Sequence, residues 1–175
     1  LHGGQNALAA HARPVVGSLC NVLDAMRVAL AFDHRGVKLR EVLLTLVSEE
    51  HEALDLGVRD ASVRIDYPDQ AAAVGEAIRS GRAERGVLVC GSGVGASVAA
   101  NKIPGIRAAV CHDTYSAHQG VEHDDMNILC LGSEIVGAEL ARDLVRAFLA
   151  SRFDGVERHA ARLRQVEALE QRSWR

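Results

Sequence analysis

Cys90 closes an apolar run and is followed at once by a glycine-rich turn, Cys90-Gly91-Ser92-Gly93-Val94-Gly95. These residue types in this spacing prescribe a kind of chemistry. The glycines let several backbone N–H groups converge on one small space, and a helix beginning beyond them adds the positive end of its dipole. Such a turn holds an anion. It also favours the thiolate of a cysteine beside it, the form that acts as base or nucleophile. A base next to an anion hole indicates chemistry and not binding alone.

The elements that must position this turn are legible as short apolar runs. Residues 27–32, 53–56, 86–89, 106–111 and 128–131 read as strands. Helical spacing fills the intervals over 37–49, 69–80, 96–102, 114–122, 136–151 and 156–172, with Pro68 opening the second helix. Continuously apolar strands that alternate with helices predict an α/β fold, a Rossmann-like three-layer domain with a five-stranded parallel sheet flanked by helices. Ligands of such sheets sit at the carboxyl ends of the strands. The loops there carry Asp33-His34, Asp66-Tyr67, Cys90 to Gly95, His112-Asp113 and Ser133.

The chain has 175 residues, 48% of them apolar, which suits one domain with a real core. The regular pattern begins at Met26, so residues 26–172 read as the domain and 1–25 as an N-terminal extension. A separate helix over 7–12 and 15–25 is the rival reading. Net charge is −3 and aromatics make up 3%, which argues against nucleic acid and against an anionic membrane surface. No apolar run approaches the ~18 residues of a membrane span. The four cysteines show no C-x-x-C spacing. Cys111 and Cys130 lie in apolar runs and are expected in the core, and a reducing, cytoplasmic setting is favoured.

The residues leave several chemistries open. Gly91-x-Gly93-x-x-Ala96 satisfies a loose dinucleotide fingerprint, with Asp113 placed for a ribose hydroxyl, but it follows the third strand and not the first. No Gly-Lys-Ser/Thr ends the turn, so it is not a P-loop. His123-Asp124-Asp125 suits a polar loop better than a metal site. A thiol hydrolase would pair Cys90 with His123 or His34. Proton transfer on a carbon acid would use Cys90 as base, the glycine turn for the enediolate, and Asp33 with His123 to open a cyclic sugar.

A family resemblance chooses among these. The pieces that carry it are Asp33-His34-x-Gly36, Asp55-x-Gly57, Asp66-Tyr67-Pro68, the run Cys90 to Lys102, and Gly105-Ile-Arg107-Ala. They continue with Tyr115-Ser116-Ala117, His123 with Asn127, Leu131-Gly132-Ser133, Gly137, and Arg158-His159 with Arg162. In this order, residues 26–170 resemble the type B ribose-5-phosphate isomerases and the galactose-6-phosphate isomerase subunits grouped with them.

The resemblance implies an aldose–ketose isomerase of a small sugar phosphate, of the ribose 5-phosphate/ribulose 5-phosphate type. It implies a cis-enediolate and neither metal nor organic cofactor. It implies a homodimer, or a tetramer of two such dimers, whose neighbouring subunits complete each other's sites. Cys90 would move the proton between C1 and C2. A branch of the family uses a glutamate at the position of Ala96, so this chain falls in the cysteine branch. Ser92 would assist at the sugar oxygens, and the N–H groups of Gly91, Gly93, Val94 and Gly95 would hold the enediolate. Asp33 and His123 would open the ring, Tyr67 would line the site and Asn101 would touch substrate. His34, Arg158 and Arg162 match phosphate-side positions, with the two arginines reaching the partner's site.

Plainer roles compete at some positions. Asp33 also suits the N-cap of the next helix, Tyr67 suits simple packing, and Lys102 and Arg107 read as structural or surface residues. Arg158 and Arg162, four apart, would otherwise form a solvated stripe. The chain departs from the family pattern at Glu134, Val121 and Asp124, where relatives carry arginine, arginine and asparagine. An inverted charge at 134 would weaken phosphate binding unless the carboxylate turns away. A different sugar phosphate of four to six carbons is therefore the alternative substrate, and a non-catalytic sugar-phosphate or nucleotide-binding module is the alternative role.

Overall fold

A computed structural model describes residues 25–174, so residues 1–24 of the N-terminal extension, with the helices expected there, lie outside the described residues. Strands and helices alternate as β1 (Arg27–Phe32), α1 (Arg40–Ser48), β2 (Glu52–Asp55), α2 (Tyr67–Arg79), β3 (Arg85–Cys90) and α3 (Val94–Ala100). They continue as β4 (Ala108–Val110), α4 (Thr114–Asp124), β5 (Ile128–Gly132), α5 (Ala138–Ala150) and α6 (Glu157–Glu170). A 3-10 turn, Gly36–Leu39, leads into α1. The five strands form one sheet in the order β2-β1-β3-β5-β4, and every pairing is parallel. The predicted three-layer α/β architecture is the one observed.

Side chains along a strand alternate between faces, and here the two faces differ in bulk. Val28, Leu30, Phe32, Val87, Val89, Leu129 and Leu131 pack with residues of α1, α4 and α5. Ala29, Ala31, Leu88 and Cys90 face the other way, against Ala71, Val74 and Ala77 of α2 and Ala96 and Ala100 of α3. Small residues on that second face let α2 and α3 lie close to the sheet. They leave the Cys90 side chain under the start of α3.

Element boundaries shift from the sequence reading for identifiable reasons. β3 begins at Arg85, whose buried guanidinium donates to the Phe148 and Ser151 carbonyls at the end of α5; burial pulls its pKa down to about 10. β4 is only three residues long. The Arg107 N–H before it goes to Asn127 Oδ1 at 2.8 Å instead of entering the ladder. α3 starts two residues early because Gly93, at φ 80°, takes the left-handed conformation that ends the turn.

The chain leaves β1 towards β2 on one side and returns to β3 on the other, so a crevice opens between the carboxyl ends of β1 and β3. There the Asp33 N–H donates to the Val89 carbonyl at 3.1 Å. Gly36 rests on that strand so closely that a Cβ would fall 2.2 Å from the Val89 oxygen. Gly36→Ala is expected to cost about 1–3 kcal/mol or more of unfolding free energy, because backbone must yield. Denaturant titration of the two proteins measures it.

Candidate active site

Cys90 ends β3 with only 5% of its surface exposed. Its Sγ accepts a hydrogen bond from the Gly93 N–H at 3.1 Å. The exposed Ser92 accepts the Val94 N–H on its Oγ at 3.3 Å. The Tyr67 ring covers the far side of the turn, where a Cβ on Gly95 would come within 2.9 Å of it. The turn is therefore framed by a thiol, a hydroxyl and an aromatic ring.

Loops from both neighbouring strands hold this turn in place. After β1, Asp33 Oδ1 accepts the N–H groups of Arg35 and Gly36, each at 2.8 Å. Asp33 thus caps the loop ahead of the 3-10 turn and is not the N-cap of α1, a position Leu39 occupies; the second carboxylate oxygen takes no part in this. After β5, the Ser133 N–H donates to the Cys90 carbonyl at 2.8 Å and the Glu134 N–H to the Gly91 carbonyl at 2.9 Å. The Ser133 hydroxyl crosses to the Arg35 carbonyl at 2.9 Å, tying the two loops together. His34 stands in the β1 loop with its Nδ1 buried and unpartnered among the described residues. His112 Nε2, from the β4 loop, accepts the Gly132 N–H at 3.1 Å.

The remaining predicted residues lie at the opposite edge. α4 leads away from the carboxyl end of β4 to the start of β5, so His123 in its last turn stands beside the amino ends of the strands. There its ring stacks on His159 at 4.0 Å, and its Nδ1 meets Gln119 Nε2 at 2.7 Å. His159 is buried. Its Nδ1 meets Asp154 at 2.8 Å, and its Nε2 accepts from Arg158 Nε at 3.0 Å. Arg162, one turn along α6, edges a groove of about 240 Å³ shared with Asn101, Asp124 and Met126. Asp33 and His123 therefore do not meet within one chain.

Asn101 has a structural task. Its amide donates to the Ala108 carbonyl at 2.7 Å and accepts the Ala108 N–H at 2.9 Å, pinning the start of β4. Arg107 likewise pairs with Asp125 at 2.5 Å, in line with the structural reading. The ligand atoms of His123, Asp154 and His159 lie within 4.8 Å of one another. Asp154 and Arg158 nevertheless occupy both ring nitrogens of His159. A larger cleft of about 400 Å³, between α1 and α5, is lined by residues such as Leu46, His51 and Arg152 and holds none of the predicted chemistry.

Cys111 and Cys130 are buried; burial pushes the Cys111 thiol up to about 11 and the Cys130 thiol higher still. That matches their reading as inert core residues. Val121 is buried in the α4 contact with the core, so the missing arginine leaves no gap in an open pocket. Glu134 is paired with Lys38 at 3.0 Å, both half exposed. The sequence reading passed over position 35. Arg35 extends across Gly91, where a Cβ would meet its Cδ and Nη1 at 3.0 Å. A basic residue inside a loop at the carboxyl edge of a parallel sheet was the available signal.

A parallel α/β sheet with a thiol, a glycine turn and titratable loops at its switch point defines a small-molecule enzyme of the doubly wound class. The Ribose/Galactose Isomerase family profile matches residues 28–166. Ribose-5-phosphate isomerase B of Escherichia coli is 43% identical over 147 residues, covering 83% of this chain and 97% of that protein. A D-erythrulose-4-phosphate isomerase of Pectobacterium atrosepticum is 44% identical over 131 residues, covering 74% and 86%. The solved ribose-5-phosphate isomerase B of Clostridium thermocellum superposes with a TM-score of 0.79 at 43% identity, covering 83% and 98%. The chain belongs to the ribose/galactose isomerase family, and its class of enzyme is the aldose–ketose isomerase.

Asp33→Asn is expected to keep the cap, since an amide oxygen still accepts both N–H groups, whereas Asp33→Ala loses about 1 kcal/mol of stability; thermal unfolding separates the two. Asp154 carries a pH dependence. Hydrogen bonds from the Val156 N–H and His159 hold its pKa below the ordinary aspartate value of 3.8. Its contribution is thus present above that value and is lost as pH falls through the lower folded-state value. Asp154→Asn should flatten the acid limb of the melting-temperature profile and leave its neutral region nearly level.

Proposed function

We propose that the chain interconverts an aldose phosphate and its ketose phosphate, with Cys90 as the base. The observation that carries this is the Cys90 thiol held by the Gly93 N–H beneath a glycine turn at the sheet's switch point. A thiolate there removes the proton from C2 of the aldose as the C1 carbonyl becomes the enediolate oxygen. The backbone N–H groups of Gly91 to Gly95 stabilise that oxyanion. Return of that proton to C1, with transfer of the O2 proton to O1, completes the ketose. Ser92 and the second oxygen of Asp33 would carry the protons exchanged at the sugar oxygens.

Ribose 5-phosphate and ribulose 5-phosphate are the first substrates to test, in line with the relatives named for that activity. A four-carbon 4-phosphate is the second reading. Its C4 oxygen carries the phosphate, so it closes no furanose ring and needs no ring opening. Two of the similar proteins, 36% and 44% identical, are named D-erythrulose-4-phosphate isomerases, which supports this reading.

The second subunit enters through surface and chemistry together. Val94, Val98, Tyr115, Ile135 and Leu140 are exposed apolar residues in or beside the segments that follow β3, β4 and β5. A homodimer burying them would carry one chain's His123, Arg158 and Arg162 to the other's Cys90.

Cys90→Ala should lower kcat about 10²–10⁴-fold and abolish solvent exchange of the C2 hydrogen; exchange at the normal rate would remove Cys90 from the base role. Turnover of four-, five- and six-carbon aldose and ketose phosphates ranks the substrates, and a kcat/KM higher for the tetrose favours the open-chain reading. Mixing inactive Cys90→Ala with inactive Arg158→Ala protein should restore about a quarter of native activity through hybrid dimers. No recovery after subunit exchange would mean that each chain works alone.

A further inference from the structure

Arg35 occupies the loop between β1 and the 3-10 turn, and its backbone is fixed from both sides. Its N–H donates to Asp33 Oδ1 at 2.8 Å, and its carbonyl accepts the Ser133 hydroxyl at 2.9 Å. From that anchored backbone the side chain reaches across Gly91, one residue past Cys90. The absence of a Cβ there makes room for it, since one would lie 3.0 Å from both Cδ and Nη1. The cation thus rests directly on the turn whose N–H groups already favour negative charge.

Its electrostatic neighbours set it apart. Arg27, Arg40 and Arg107 each pair with a carboxylate at 2.7 Å or less. Among the described residues Arg35 has no such partner. Glu134 is the natural candidate, because its N–H donates to the Gly91 carbonyl at 2.9 Å and so it flanks the same turn. Its carboxylate is instead held by Lys38 Nζ at 3.0 Å. The other acid of the edge, Asp33, has one oxygen saturated by two N–H groups. Beside Arg35, the buried Nδ1 of His34 has no partner among the described residues.

We propose that Arg35 holds the phosphoryl group of the substrate in the same subunit as Cys90, and that Lys38 is a positioning residue that keeps Glu134 off it. The inference rests on reading the site as one for a sugar phosphate. A guanidinium offers two parallel N–H donors to a phosphate dianion, geometry a lysine cannot match. The Lys38–Glu134 pair cancels its own charge, so among the described residues Arg35 lies on the turn as a cation without a carboxylate partner. Position 35 thereby compensates for the acid at 134.

Inorganic phosphate is the probe, measured on the full chain by calorimetry and as a competitive inhibitor of turnover. Arg35→Gln should weaken phosphate binding and raise KM about tenfold, with kcat within about twofold, and Arg35→Lys should recover part of the loss. Lys38→Gln should release Glu134 onto Arg35 and weaken phosphate binding to a similar degree. Adding Glu134→Gln to Lys38→Gln should restore it, a coupling that a purely structural role for Lys38 would not show. Native phosphate affinity in Arg35→Gln overturns the proposal, and an unrestored double variant overturns the part assigned to Lys38. If no sugar phosphate is turned over while phosphate binding still depends on Arg35, the isomerase reading fails and this one stands. If turnover is intact and Arg35→Gln is silent in both assays, the reverse holds.

Discussion

The carboxyl edge of the sheet depends on how closely the loop after β1 lies against β3. Gly36 rests on the Val89 carbonyl where no side chain fits, and the Asp33 N–H donates to that same carbonyl. This contact sits at the point where the strand order reverses, so nothing else in the sheet covers the crevice. It brings Asp33, His34 and Arg35 beside Cys90. Ser133 closes the arrangement from the β5 side by bonding to both the Cys90 carbonyl and the Arg35 carbonyl. Three consecutive strands of the sheet are stitched together at their carboxyl ends before any ligand arrives. A site preorganised in this way has little reorganisation left to make when charge develops on a substrate.

Parallel βαβ topology also explains why the titratable residues divide into two groups. Each strand delivers its following loop to one edge, and each helix returns the chain to the other. Cys90, Ser92, Asp33 and His34 follow strands. His123 ends a helix, and Arg158 and His159 begin α6 beside it. No local adjustment can join the two groups inside one chain. For both to serve one reaction, a second copy has to present its amino-edge group to the first copy's thiol.

The acids of both groups are managed by hydrogen bonds. Asp33 accepts two backbone N–H groups, Glu134 is held by Lys38, and Asp154 accepts from Val156 and pairs with His159. Committed carboxylates repel an anionic ligand less than free ones, because donors offset their charge locally. The inverted charge at 134, which looked costly in the sequence, is thus accompanied by a cation at 38 and another at 35. The buried Val121 shows the opposite case: its side chain packs in the core, where an arginine would have no open pocket to enter within this chain.

The sequence by itself determined the fold class and the glycine turn after Cys90. Apolar runs bounded by glycines are a strong signal for buried parallel strands, and Cys90 to Gly95 carries its conformation in its glycines. The ends of elements were less legible. β4 is cut short because Asn127 takes the Arg107 N–H, a bond between residues 20 apart. The bonds of the Asn101 amide to Ala108 show the same limit, because no spacing rule reports them. Tertiary structure alone decided which residues share a site. Sequence order places His123 nearer to Cys90 than Asp33 is, yet the sheet brings Asp33 to the thiol and carries His123 to the opposite edge. Likewise only the fold lays Arg35 across Gly91 and hands Glu134 to Lys38. Proximity of charges depends on strand order and helix direction, and a linear pattern records neither.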